Sequence, residues 1–197
     1  MDKIESWWDE KAKENAFYII QSAKSDWEEK EFFQDGEKWI SEIIVSPHYS
    51  QTNVSKVLDF GCGVGRLTFA LGHICDKVTG TDISQVMIDK ANAFKEKFKT
   101  NNVDFVKSSG EDLSGFKDGE FTFVFSSIVL QHIEQPLRWK MREELLRVLK
   151  PGEWLYFQDE SFEVERPHYM RWLSERCSFV DMKPQNKESV FVWARKK

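Results

Sequence analysis

The stretch KVLDFGCGVGRLTFAL, residues 56–71, changes its backbone habit in the middle. Val57, Leu58 and Phe60 make a short apolar run of strand type, and Gly61, Gly63 and Gly65 break it. From Arg66 to Ile74 the pattern is helical. Glycines between a strand and a helix let the backbone turn tightly and approach a ligand closely, with the helix N-terminus just beyond. The same residues are also the plain way to make a tight turn, so the loop needs its neighbours to decide its meaning.

Working outward, the alternation continues. KVTGTDI reads as a second strand, and Ser84 is an N-cap for a helix whose Met87, Ala91, Phe94 and Phe98 share one face. VDFVKSS is a third strand and FTFVFSSIVL a fourth. Pro136 opens a helix carrying Leu137, Met141, Leu145 and Val148, which Lys150-Pro151-Gly152 stops; EWLYFQ is a fifth strand. Strands apolar on both faces and separated by helices indicate a doubly wound α/β fold, a mostly parallel, Rossmann-like sheet. Arg166 to Cys177 reads as one more helix. SFVDMKP and SVFVWARKK form a closing strand pair around Gln185-Asn186-Lys187, giving seven strands with an antiparallel carboxy-terminal hairpin. The chain is expected to be one domain, with residues 1–50 as an amino-terminal helical cap, broken near Ser25 and Gly36, and residues 54–197 as the core. Ligands of such sheets lie outside the carboxyl ends of the strands.

The 197 residues suffice for one sizeable domain, and 41% hydrophobic with 31% charged residues is globular composition. A formal charge of -5, with 6 lysines against 12 acids in the first fifty residues, makes nucleic acid a poor partner. The longest uncharged runs, such as Phe121 to Ile133, are well short of the ~18 apolar residues of a membrane helix, so no membrane span is expected. The charged amino terminus lacks the form of a secretory signal, and Cys62, Cys75 and Cys177 include no CxxC pair. These features point to a reduced, cytoplasmic setting without disulfides or a thiolate zinc site. No cluster of Asp, Glu and His has metal-ligand spacing, so no metal is expected.

Two acids give the glycine loop a chemical direction. Asp82 ends the second strand 21 residues after Gly61, where a carboxylate can accept hydrogen bonds from a ribose diol. Asp59, two residues before Gly61, would repel a dinucleotide's pyrophosphate and suit a cationic ammonium group. The plainer alternatives are a turn at Asp82 and loop amides that satisfy Asp59.

With these motifs the chain resembles the class I S-adenosylmethionine-dependent methyltransferases, in their small-molecule branch. VLDFGCGVGRLTFAL is similar to their first motif, VTGTDIS to their second, SSIVLQHI to the segment after the fourth strand, and EELLRVLKPGEWLYFQ to the helix and fifth strand. The resemblance implies S-adenosylmethionine as cofactor. Its methionine part would lie against Asp59, Gly61, Cys62, Gly63 and Gly65, its ribose on Asp82 and its adenine on Ile83. Many relatives read the adenine amino group with an Asp after the third strand. Here the matching place is Ser109-Gly110 followed by Glu111 and Asp112, a departure that leaves the adenine contact open among them.

Ser126, Ser127, Gln131 and His132 follow the fourth strand, nearest the transferred methyl in this fold, and Ser127 is assigned to the cofactor side. An unshifted histidine titrates near pH ~6.5, which suits His132 to take a proton from an acceptor hydroxyl, while a structural role in the nearby helix is the alternative. No Asn-Pro-Pro-Tyr type motif of amino-methyltransferases is present. The amino-terminal segment carries Trp7, Trp8, Trp27 and Trp39; of its aromatics Trp7, Trp8, Phe17 or Tyr18 either close over the sulfonium or staple an added helix to the sheet, and Arg66 either reaches the cofactor carboxylate or is exposed. The implied activity is methyl transfer to a small-molecule acceptor. The rivals are a nicotinamide-dependent oxidoreductase and a non-catalytic cofactor binder. Nothing in the sequence speaks to the oligomeric state.

Overall fold

The computed structural model describes residues 2–160, 162–185 and 189–197, and the side chains of these except 2, 160 and 162–166. Helices α1 (Asp2–Ile20) and α2 (Glu29–Ile44) precede a run of β1 (Val57–Phe60), α3 (Arg66–Gly72), β2 (Val78–Asp82), α4 (Gln85–Phe98) and β3 (Val103–Lys107). Then come β4 (Phe121–Ser126), α5 (Leu137–Val148), β5 (Leu149–Glu160), α6 (Phe162–Arg176), β6 (Cys177–Pro184) and β7 (Ser189–Lys196). The sheet order is β3-β2-β1-β4-β5-β7-β6, and β7 alone runs antiparallel to its neighbours. The expected seven-stranded, doubly wound sheet is therefore present.

Period-two alternation along buried strands sends neighbouring residues into opposite layers. Leu58, Val124, Leu155 and Phe157 join Met141 and Leu145 of α5 and Tyr169 and Leu173 of α6. Val57, Phe123, Phe125 and Tyr156 face Ile40 and Ile43 of α2 and Leu67 and Leu71 of α3. Between β1 and β4 the connections leave in opposite directions, so the carboxyl ends of these central strands open a crevice.

Three local expectations shift. The fifth strand begins at Leu149, directly after α5, and Pro151-Gly152 lies inside it, where the pairing with β4 changes register between Phe121 and Phe123. A register irregularity tolerates a proline that a regular ladder would reject. The final helix starts at Phe162 rather than Arg166. Of the turn Gln185-Asn186-Lys187, the last two residues lie outside the described residues. Among the described residues no helix is long and apolar enough to cross a membrane.

The amino-terminal segment breaks near Ser25 as expected, but Gly36 sits within α2 and does not end it. Packing explains the glycine: a Cβ there would lie 2.5 Å from the carbonyl oxygen of Arg66 and 2.9 Å from its Cγ. Helix α2 thus reaches the first turn of α3 backbone to backbone. In α1 the backbone leaves helical geometry at Asn15, whose Oδ1 accepts from Tyr18 N at 3.1 Å and restarts the helix as an N-cap does. Phe17 and Phe32 then stack at 4.2 Å, joining α1 to α2.

Helix propensity alone makes Gly36→Ala stabilising by about 1 kcal/mol. The contact with Arg66 reverses the sign, so the variant is expected to lose roughly 1–3 kcal/mol in urea unfolding. An increase in stability would show that α2 does not approach α3 this closely.

Candidate active site

The crevice holds a cavity of about 320 Å3. Its floor is the loop after β1. Gly61 has φ 77° and a Cβ there would fall 2.2 Å from Val129 Cγ2; Gly63 has φ 54° and would meet Ile20 Cδ1 at 2.6 Å. Both positions combine a left-handed backbone with a side chain pressed on the Cα, so neither accepts another residue without movement. Gly65 lies beneath the loop, at the cap of α3, against Phe69 and Phe105.

Asp82 is fixed at both oxygens. Oδ2 accepts from Gly63 N at 2.9 Å and Oδ1 from Ser84 N at 2.9 Å. A carboxylate has about four acceptor positions, so these amides do not use up its capacity toward the cavity it lines. Burial raises the Asp82 pKa above its ordinary value; the amides of Ser84, Gly63 and Ile83 oppose the rise and Asp9 adds to it. Asp9 comes from α1: its Oδ1 accepts from Ser84 Oγ at 2.5 Å and from Val86 N at 3.2 Å. Ser84 Oγ in turn accepts from Met87 N, which makes it the N-cap expected for α4.

Asp59 is only 2% exposed and accepts one bond, from Thr68 Oγ1 at 2.6 Å. Burial pushes its pKa up to about 7, against the Thr68 bond and the Arg66 charge that lower it. A carboxyl poised near neutrality changes its ionisation when a cation arrives. The Cys62 thiol is buried and its pKa lies well above the ordinary value because of burial, so it is not a nucleophile here.

The wall after β4 is strained. Ile128 has φ 61°, a left-handed conformation that costs a β-branched residue roughly 1–3 kcal/mol. Gln158 of β5 holds it, with Oε1 accepting from Ile128 N at 3.1 Å and from Ser127 Oγ at 3.4 Å. Gln158 Nε2 donates to Gln185 Oε1 at 2.6 Å, which also receives Ser189 Oγ at 3.0 Å. The carboxy-terminal hairpin thereby shapes the crevice. Further along, the ring of His132 meets the indole of Trp8 edge to face at 5.3 Å. The surrounding protein, and then the Arg138 guanidinium, hold the His132 pKa below its ordinary value.

Of the residues chosen from sequence, Asp59, Gly61, Cys62, Gly63, Asp82, Ile83, Gly110, Ser127 and His132 line this one cavity. Gly65, Ser109, Glu111 and Asp112 do not. The Asp112 carboxylate accepts from Ser114 N at 3.1 Å and faces Lys140 at 3.6 Å, while Ser109 Oγ accepts from Glu111 N at 3.1 Å. Ser126 donates to the Phe60 carbonyl, stitching β4 to β1. The four tryptophans divide: Trp8 lines the cavity, Trp7 is exposed, and Trp27 and Trp39 pack against Phe32 and Phe191 respectively. Sequence reasoning missed Ile4, Ile19 and Ile20 of α1, together with Ser108, Val129 and Glu134. Only the first three carried a signal, as apolar residues in an otherwise charged helix. Among the described residues no three His, Cys, Asp or Glu side chains group to hold a metal ion.

The doubly wound sheet brings the glycine loop after β1, the Asp82 carboxylate at the end of β2 and the buried Asp59 to one crevice, where ligands of such sheets lie. The family model for the methyltransferase domain matches residues 58–157, and the chain belongs to that family. The ubiquinone biosynthesis O-methyltransferase of Thiobacillus denitrificans is 32% identical over 102 residues, 52% of this chain and 43% of that protein. Arsenite methyltransferase of Mus musculus is 30% identical over 123 residues, 57% of this chain and 32% of the other. The chain thus spans less than half the length of these curated relatives. In fold it is similar to the PH0226 protein of Pyrococcus horikoshii, with a TM-score of 0.67 and 23% identity over 92% of this chain and 98% of that one.

The raised pKa of Asp59 gives a stability prediction. An acid whose folded pKa exceeds its unfolded value favours the fold while protonated, and this contribution is lost as pH rises from near 4 through about 7. Asp59→Asn should therefore leave stability at pH 4 nearly unchanged and raise it at pH 8 by about 1–4 kcal/mol. Urea titrations at the two pH values check this, and an equal effect at both would contradict it.

Proposed function

We propose that the chain transfers a methyl group from S-adenosylmethionine to a small organic acceptor bound between α1 and the segment after β4. What carries this reading is the meeting of Asp59, Asp82 and the two glycines with His132 and Trp8 in a single cavity. The residues fit the cofactor: Asp82 has acceptor capacity for a ribose diol, Gly61 and Gly63 line the cavity without side chains, and Asp59 suits the ammonium group. Ile83 and Gly110 line the side where the adenine would lie. When bound, the cofactor supplies an electrophilic methyl on a sulfonium, open to in-line displacement.

The protein's share is alignment and proton handling. Holding two reactants in line lowers a barrier by ~7–11 kcal/mol. His132 is neutral at pH 7 because its pKa is held below the ordinary value, so it can take the proton that an acceptor hydroxyl releases. Trp8 sets the ring's outer face, and Ile4, Ile133 and Leu137 give the acceptor end an apolar wall.

Between the acceptor classes suggested by the relatives' names, the site favours an organic one. Trivalent arsenic is thiophilic. Cys75 and Cys177 do not line the cavity, and Cys62 is an inert thiol. A nicotinamide dinucleotide would bring its pyrophosphate against Asp59, and a purely binding role leaves the Trp8–His132 pair without a purpose. Residues 1–50 serve as the cap and residues 54–197 as the core. The setting proposed is the cytoplasm, where the three buried cysteines stay thiols.

Calorimetry should detect S-adenosylhomocysteine and no tight binding of NAD. Asp82→Ala should weaken the former by about 1.5–3 kcal/mol, the scale of a charge-assisted hydrogen bond. Tight NAD binding with no response to the sulfur compound would refute the assignment.

A metabolite panel with labelled cofactor supplies the acceptor. With it, the rate should fall as pH drops through the lowered His132 pKa, below about 6.5. His132→Gln should cut turnover ~100- to 10,000-fold and abolish this limb, with cofactor affinity unchanged. Unaltered kinetics in the variant would leave His132 a structural residue.

A further inference from the structure

We propose that Gln158 is a positioning residue for the acceptor side of the site: it holds the backbone at Ile128 and thereby sets where His132 stands. The inference rests on the methyltransferase reading for what His132 does. It adds the residue that places the histidine and the part of the chain on which that placement depends.

The segment from Ser127 to Ile133 forms the wall on the acceptor side. At its start the left-handed Ile128 directs the chain so that Val129 lies on Gly61. Leu130 then enters the core with no exposure. A single 3-10 turn, in which His132 N donates to Val129 O at 2.9 Å, brings His132 to the cavity beside Trp8. The far end of the segment is held by Arg138, whose Nε donates to the Ile133 carbonyl at 2.7 Å and Nη2 to the Gln131 carbonyl at 3.3 Å. The start has to be held as well, because a β-branched residue at φ 61° is strained and returns to the right-handed or extended region when released.

That hold comes from a distant element. Gln158 of β5 is 4% exposed, and its amide uses both ends at once. Oε1 takes Ile128 N and Ser127 Oγ, which occupies its two lone pairs, while Nε2 donates to Gln185 Oε1. The oxygen is thus spent wholly on the loop that bears the strain. Gln185 is fixed in turn from β7, where it receives Ser189 Oγ and gives its own N–H to the Ser189 carbonyl at 3.0 Å. The carboxy-terminal hairpin, the buried amide, the strained residue and the histidine form one connected path. A leucine at position 158 fills the space and supplies neither end of the amide. Ile128 then relaxes, and His132 leaves its place near Trp8 and Arg138 for water.

The test reads His132 directly. Proton NMR titration of the four histidines in the free protein gives its midpoint without cofactor or acceptor, the His132 signal being the one missing from His132→Gln. In the wild type the surrounding protein and the Arg138 guanidinium hold that midpoint low. Gln158→Leu should raise it toward the ordinary ~6.5, by about 0.5 pH unit or more. Glycine adopts positive φ at no cost, so in an Ile128→Gly background the same Gln158→Leu change should move the midpoint by less than about 0.2 unit. A merely structural glutamine would shift it equally in both backgrounds. Gln185→Ala, at an exposed position outside the cavity, should produce a smaller rise in the same direction and serves if Gln158→Leu does not fold. With an acceptor in hand, Gln158→Leu should lower kcat ~10- to 100-fold, the scale of misplacing a reacting group, with S-adenosylhomocysteine affinity within about threefold of wild type. An unmoved midpoint in the variants that fold, or equal shifts with and without Ile128→Gly, overturns the proposal. Failure of the wild type to bind S-adenosylhomocysteine would instead reject the methyltransferase reading, and the histidine titration would still decide whether Gln158 places His132.

Discussion

The carboxylate of Asp82, held between the amides of Gly63 and Ser84, is the constraint on which the crevice depends. One oxygen fixes the loop after β1 and the other fixes the turn into α4, so a single side chain at the end of β2 sets two walls. Ser84 passes the constraint to Asp9 of α1 through a 2.5 Å hydrogen bond. The amino-terminal helix is thereby registered to the carboxyl end of β2, not only packed against the sheet. Asp9 also lies at the N-terminus of α4, where the helix dipole favours a negative charge.

The cap reaches the crevice from two directions. From α1, Asp9 meets the α4 turn while Trp8 meets His132 on the β4 side, so the helix bridges the point where strand order reverses. From α2, Asp35 meets Arg66 on the β1 side. Aromatic contacts supply the adhesion. Phe17 and Phe32 stack between the two helices, and Phe33 meets Phe69 of α3 and Phe94 of α4 at 5.6 and 4.9 Å. Apolar contact gives these helices their affinity for the sheet, and the two carboxylates give them their register.

The far half of the sheet contributes by a different route. Strain at Ile128 persists because Gln158 and, behind it, Gln185 of the carboxy-terminal hairpin over-determine the loop. Near the end of β5, Arg142 and Asp159 form a buried ion pair at 2.7 Å, with the guanidinium 4.2 Å from the Trp139 ring centre. Such pairs specify geometry more dependably than they add stability. Together they tie β5 to α5.

The strand-and-helix alternation from Val57 onward was legible because burial on both faces of a strand, and on one face of a helix, leaves a local period in the residues themselves. The glycine loop, Asp59, Asp82 and His132 were legible because strand ends converge on a doubly wound sheet, wherever the rest of the chain goes. Only the tertiary structure decided that Gly36 lies inside a helix, since its reason is the Arg66 carbonyl thirty residues away. The same holds for the turning of Asp112 toward Lys140 and the left-handed backbone of Ile128, which depend on partners in other elements. It holds too for the burial of Arg66 against Asp35. Local periodicity records which side of an element is covered, but not by what. The partners of single polar groups are set by distances between elements far apart in the chain, and those exist only once the sheet has closed around them.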